Sequence, residues 1–172
     1  MSVAVGYLYF SKVHSMKTLS EKKVEPLPPK GELFAVKIYY PVDNRLQIEE
    51  RMLKAGNTQI EIAHAIVEEF LKGHAGAGIS NIPKDTKLLG LYRDTERILY
   101  VELSEEFRRN FQGDALTEYL LLKGLYESLI SNLEDIEDIE VLIEGRYIET
   151  LGGHFYLSYP IKDTVSKYEY AE

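Results

Sequence analysis

No cysteine and no tryptophan occur in the 172 residues. Without cysteine the chain forms no disulfide, holds no thiolate-bound metal and has no cysteine nucleophile. That absence fixes no redox compartment, though it is compatible with life outside the cytoplasm. A membrane-length apolar run is missing too. The apolar start Val3–Phe10, in MSVAVGYLYF, is far short of the roughly 20 residues that cross a bilayer. No basic stretch precedes it as in a signal peptide. It ends in Tyr7, Tyr9 and Phe10 ahead of Ser11 and Lys12, the way a span often leaves the bilayer. Two readings stand: residues 1–10 are the remnant of a membrane anchor, or they are an N-terminal strand docked on the domain.

Catalytic signatures are also scarce. There is no Gly-Lys-Ser/Thr, no His-Glu-x-x-His and no Gly-x-Ser-x-Gly. Gly76 and Gly78 lie between a helix and a strand. A phosphate loop needs the reverse order, because free N–H groups sit at helix starts. His14, His64, His74 and His154 are scattered, so a zinc site would need distant segments. The run LEDIEDIEV lacks the spacing of a calcium loop. Glu105 and Glu106 follow Ser104 and read as a helix N-terminus, where acids suit the dipole. Asp114 and Glu118 stand one helical turn apart. No catalytic, cofactor-binding or metal-ligating residue is assigned, and no cofactor is implied.

What is present is an ordinary apolar fraction, 45 %, which suits one compact domain. Net charge is −8, divided unevenly. Residues 1–30 hold five lysines against Glu21 and Glu25, a balance of +3, which leaves −11 for the rest. An acidic body repels phosphate backbones, so nucleic acid is not an expected partner. The basic leader suits anionic headgroups only weakly.

Residues 11–31 are polar, with PLPP at 26–29, and read as a linker. The domain is expected over 32–161, with a tail at 162–172. ELFAVKIYYP alternates, with Phe34, Val36, Ile38 and Tyr40 on one face. Arg45–Leu53 reads as a weaker strand with Leu46, Ile48 and Met52 on one side. Thr58 and Glu61 form a capping box before a helix bearing Ile60, Ala63, Ile66, Val67, Phe70 and Leu71. TKLLGLY and RILYVELS follow as strands, and Asp114 caps a second helix, ALTEYLLLKGLYESLISNL. DIEVLIEG alternates, its Glu140 and Glu144 on the face away from Ile139, Val141 and Ile143, as in a half-wet antiparallel sheet. RYIETL and HFYLSYP complete a meander, turning at Gly152–Gly153. The class is α+β: two helices on a mainly antiparallel sheet, with a β-α-β-β-α-β core.

Three stretches in register resemble one family, the GerMN domain of sporulation and spore-germination proteins. They are AHAIVEEFLKGHAGAGISNIPKDTKLLGL, ILYVELSEEFRRNFQGDALTEYLLLKGLYESL and IEVLIEGRYIETLGGHFYLSYPI, covering about residues 33–161. Asp94-Thr95-Glu96-Arg97 departs from the family's Asp-Gly turn, Glu102 from its Asp, and Gln112-Gly113-Asp114 from its Gly-Gly-Ser helix start. The resemblance implies a ring-building-type fold, an extracytoplasmic and often tethered domain, and a scaffolding role with envelope proteins as partners. It offers no catalytic residues. Two other readings are a wall-glycan-binding or glycan-processing module using Glu105, Glu106 or His154, and a self-assembling subunit. For His154 the expectation is a structural bond to nearby backbone or a carboxylate.

Overall fold

The computed structural model describes residues 29–167. The anchor or strand expected at 1–10, most of the 11–31 linker and the end of the 162–172 tail lie outside the described residues.

The chain begins with a hairpin of β1 (Leu33–Val42) and β2 (Arg45–Lys54), paired antiparallel throughout. Asp43 and Asn44 both take positive φ at its turn, the geometry that matches strand twist in a two-residue connection. Helix α1 (Gln59–Lys72) follows. Thr58 accepts from the Glu61 N–H at 3.2 Å, while the Glu61 carboxylate reaches back to the Asn57 N–H. The expected capping box forms, displaced by one residue on its return bond. Gly73 ends the helix with φ 83°, a conformation costly to residues with a Cβ.

A second sheet holds β3 (Leu88–Arg93), β4 (Ile98–Leu103), β5 (Asp138–Ile143) and β6 (Arg146–Tyr147), in that order. Between β4 and β5 run the single turn α2 (Glu106–Arg109) and the long helix α3 (Ala115–Ile130). Asp114 caps α3, accepting from the Thr117 N–H at 2.9 Å. A last short helix, α4 (Lys162–Lys167), buries Val165 and receives the Tyr119 hydroxyl at the Val165 carbonyl. The class is α+β with the expected β-α-β-β-α-β order, and no barrel forms among the described residues.

The core lies between the helices and one face of the four-stranded sheet. Leu99, Val101, Leu103, Ile139, Val141 and Ile143 point into it from the sheet. Ile66, Phe70, Leu121, Leu125 and Leu129 meet them from α1 and α3. Helix α3 also seals the free edge of β1. Its Ser128 hydroxyl accepts from the Tyr39 N–H at 2.9 Å, and the Asn132 amide accepts from Lys37 N–H and donates to the Lys37 carbonyl. Two side chains thus do what a neighbouring strand would do, satisfying an edge that is otherwise costly to bury.

Three local expectations are corrected. β4 and β5 pair parallel, because a two-helix crossover delivers β5 in the same direction. HFYLSYP is not a strand: Phe155 and Leu157 are buried but Tyr159 is exposed, and the segment runs as bends. RYIETL contributes only Arg146–Tyr147 to the sheet. In β2, Ile48 and Met52 face solvent, while Glu49 and Arg51 turn inward toward His74 and Glu69.

Candidate functional site

Gly152-Gly153-His154 closes around one buried carboxylate, that of Glu118 on the first turns of α3. Glu118 has no solvent exposure. Its Oε1 accepts from the Leu151 N–H at 3.1 Å. Its Oε2 accepts from the His154 N–H at 3.1 Å and meets the His154 ring Nδ1 at 2.8 Å. A Cβ on Gly152 would collide with the Phe111 ring and come within 2.9 Å of Glu118 Oε2, so the loop approaches this closely only as glycine. Gly153 has φ 94° and makes the reversal. The histidine does bond to a carboxylate, as the sequence suggests. The partner, Glu118, stood out in the sequence only as a carboxylate one helical turn from Asp114. Its one signal in the sequence is a lone charge directly before YLLL.

A carboxylate with several strong donors is a structural anchor, since each buried acceptor is satisfied. His154 is partly exposed at its ring and adds one of those bonds. Replacing His154 with alanine is expected to lower stability by about 1 kcal/mol, leaving the fold intact by circular dichroism. A loss above about 3 kcal/mol in urea unfolding would contradict this account.

The paired acids Glu105 and Glu106 do not join His154. The backbone N–H of Glu105 donates to Glu144 at 3.1 Å. Glu106 pairs with Arg109, and its carboxyl lies below the ordinary glutamate value. The hydroxyl of Ser104 is the main cause, then its own backbone N–H, with Arg109 adding less. A glycosidase acid needs the opposite shift. Glu105 lines an open groove of about 360 Å3 with Arg108, Glu144, Arg146 and Tyr147. A second depression, about 540 Å3, follows the Ile79–Asp85 loop and Arg109–Gln112. Neither draws Glu105, Glu106 and His154 together.

The other described histidines are accounted for locally. His64 faces Glu68 across a helical turn. His74 pairs with Glu49, stands 3.2 Å from the Ala77 carbonyl and packs near Tyr40. Among the described residues no three His, Asp or Glu side chains gather as a metal site.

One titratable group stands apart. Glu140 points away from the core, opposite Tyr100 across the parallel pair, yet is only 3 % exposed. Its Oε1 has no hydrogen-bond partner among the described residues. Burial, with Asp138 adding repulsion, pushes its carboxyl from 4.5 up to about 7. The half-wet face read from the sequence therefore holds a carboxyl that water scarcely reaches. Because the folded state holds this proton more tightly than the unfolded chain, stability falls as pH rises from about 4.5 to about 7. At about 1.4 kcal/mol per unit, that shift sets a ceiling of roughly 3–4 kcal/mol. Glu140→Gln is expected to raise the melting temperature at pH 8 and leave it unchanged at pH 4. Equal effects at both pH values would refute the assignment.

Comparison with known proteins follows the same lines as the geometry. A family model described as "Germane: Sporulation and spore germination" matches residues 37–149, more than half of the chain. A crystal structure of a protein assigned as a lipoprotein from Clostridium perfringens aligns with TM-score 0.55 and 22 % identity, covering 75 % of this chain and 87 % of that one. The first GerMN domain of the sporulation protein GerM from Bacillus subtilis aligns with TM-score 0.54 and 14 % identity, covering 76 % and 95 %. The tandem GerMN domains of GerM give TM-score 0.55 and 14 % identity over 77 % of this chain, which spans about half (48 %) of that pair. At these identities the structures show a shared fold. No curated protein sequence matches the chain.

Proposed function

The chain belongs to the Germane family of sporulation and spore germination, and from that premise we propose that it is a non-enzymatic scaffolding domain of the bacterial envelope. In this reading it works outside the cytoplasm, held at the membrane through its N-terminal side, and its ligand is another envelope protein. The observation that carries the proposal is the exposed aromatic surface. Tyr92, Tyr147, Tyr156 and Tyr159 are each more than half exposed. Tyrosine supplies large contact area at low entropic cost and is enriched at protein interfaces. The Gly-Gly-His motif supports the reading as well, because the His154 N–H and ring Nδ1 are held by Glu118.

The likeness to a lipoprotein fold and the apolar, aromatic start of the sequence support the location. No helix among the described residues is long and apolar enough to cross a membrane. Crosslinking the native protein in cells is expected to capture an envelope protein reproducibly. Recovery of nothing but the chain itself would count against a scaffolding role.

A further inference from the structure

The sheet of β3–β6 has two faces of opposite character. The inner one is aliphatic and covered by α1 and α3. Register defines the outer one. Gly90, Glu102, Leu142 and Tyr147 form one row across the strands. Tyr92, Tyr100 and Glu140 form the next, and Ile98 with Asp138 the third. The strand residues of this face include three tyrosines, two aliphatics, three acids and no base. Tyr92 and Tyr147 are 55 % and 63 % exposed.

The acids are not equivalent. Glu102 accepts from the Tyr92 hydroxyl at 3.0 Å. Asp138 accepts from the Ile139 and Lys162 backbone N–H groups. Glu140 alone among them is buried with an oxygen that no donor among the described residues meets. Among the cations at the rim, Arg93 and Arg97 pair with Asp135 and Glu137, and Lys162 reaches Glu137 at 3.9 Å, while Arg108 and Arg146 line the groove beside Tyr147. A buried acceptor without a donor costs free energy that any correctly placed donor would recover. Tyrosine rings also attract cations over their faces.

We propose that the outer face of the β3–β6 sheet is a docking surface for an extended, arginine- or lysine-bearing segment of a partner protein, with Glu140 Oε1 as its anchoring acceptor. An arginine entering between Tyr100 and Tyr147 displaces the side chains that enclose Glu140, gives the orphan oxygen its donor and keeps an aromatic contact on each side. The charge balance fits, since residues 31–172 carry −11. That same charge disfavours a second copy of the domain as the occupant, and an anionic lipid or wall polymer likewise. This proposal names the surface and partner chemistry of the scaffolding role and rests on that reading.

Two measurements on the full chain test it. The first titrates the isotope-labelled protein with the heptapeptide Val-Arg-Val-Lys-Val-Arg-Val, followed by amide chemical shifts. Shifts are expected along β3–β6. Glu140→Gln should weaken binding at least tenfold at pH 8, and added salt should weaken it further. The all-glutamate counterpart should not bind. Binding elsewhere, binding unchanged by Glu140→Gln, or self-association that Glu140→Gln abolishes would each overturn the proposal.

The second places a photocrosslinking residue in living cells at Tyr147 or, as a comparison, at Ile48, which is 56 % exposed on the β1–β2 hairpin. A basic segment identified by mass spectrometry from Tyr147, lost on Glu140→Gln, supports this surface. Capture from Ile48 alone removes this surface and spares the scaffolding role. Capture from neither position removes both.

Discussion

Glu118→Ala is expected to lower unfolding free energy by roughly 3–5 kcal/mol, as much as truncating a large core side chain. The residue is fully buried on α3 and accepts from two backbone N–H groups and an imidazole nitrogen. Alanine removes both acceptor oxygens at once and leaves the buried Leu151 N–H and the half-buried His154 N–H without their partner. Each such orphan costs about 1–3 kcal/mol, and a domain has only about 5–15 kcal/mol in total. Glu118→Gln should be less harmful, because one oxygen still serves one N–H while its amide opposes the other donor. Urea unfolding gives the free energies, and hydrogen exchange at Leu151 and His154 locates the damage. A loss under about 1 kcal/mol for alanine would mean that the loop is held by something else.

Gly124→Ala should also destabilise, by about 2–3 kcal/mol, and here the sign is the test. In an exposed helix interior, glycine to alanine gains about 1 kcal/mol. At position 124 an added Cβ would press into the Tyr39 backbone carbonyl oxygen and stand 3.3 Å from both Leu46 Cδ2 and Phe70 Cε2. A backbone atom cannot rotate away. To make room, α3 must part from β1, stretching the Ser128 and Asn132 bonds to Tyr39 and Lys37. Thermal melts of the variant should show a lower midpoint; a higher one would refute the close approach of α3 to β1.

The features legible in the sequence were those set by neighbours in the chain. Thr58 and Asp114 cap helices through contacts three residues away. Asp94 organises its turn by accepting from the Glu96 and Ile98 N–H groups. The alternation of β1 also held, because Val36, Ile38 and Tyr40 need only one apolar side. Distant partners were not legible. HFYLSYP alternates like a strand, but Glu118, a helix residue 36 positions away, takes the His154 N–H. Leu157 then bonds to Glu149, and the segment folds over the core as bends. For the same reason Glu49 and Arg51 hid their inward role: their partners sit on and just beyond α1. Glu140 reads as a wet position by alternation alone, and only the assembled face shows it enclosed. A bond of His154 to nearby backbone or a carboxylate was expected from its setting, whereas the choice of Glu118 depended on the packing of α3.

The parallel pairing of β4 with β5 bears on the order in which the molecule can assemble. Ile98–Leu103 finds its second neighbour only at Asp138–Ile143, after both α2 and α3 have been laid down. The β1–β2 and β3–β4 hairpins can close early, since short loops close quickly, but a parallel pair across such a separation is slow. Until Ile143 is available, β4 is an edge strand with Leu99, Val101 and Leu103 uncovered on its sheet side. A chain interrupted anywhere before that residue is therefore a poor candidate for a stable fragment. Its centre is the last part to close, which leaves the chain open to self-adhesion, or to a holding chaperone, for most of its synthesis.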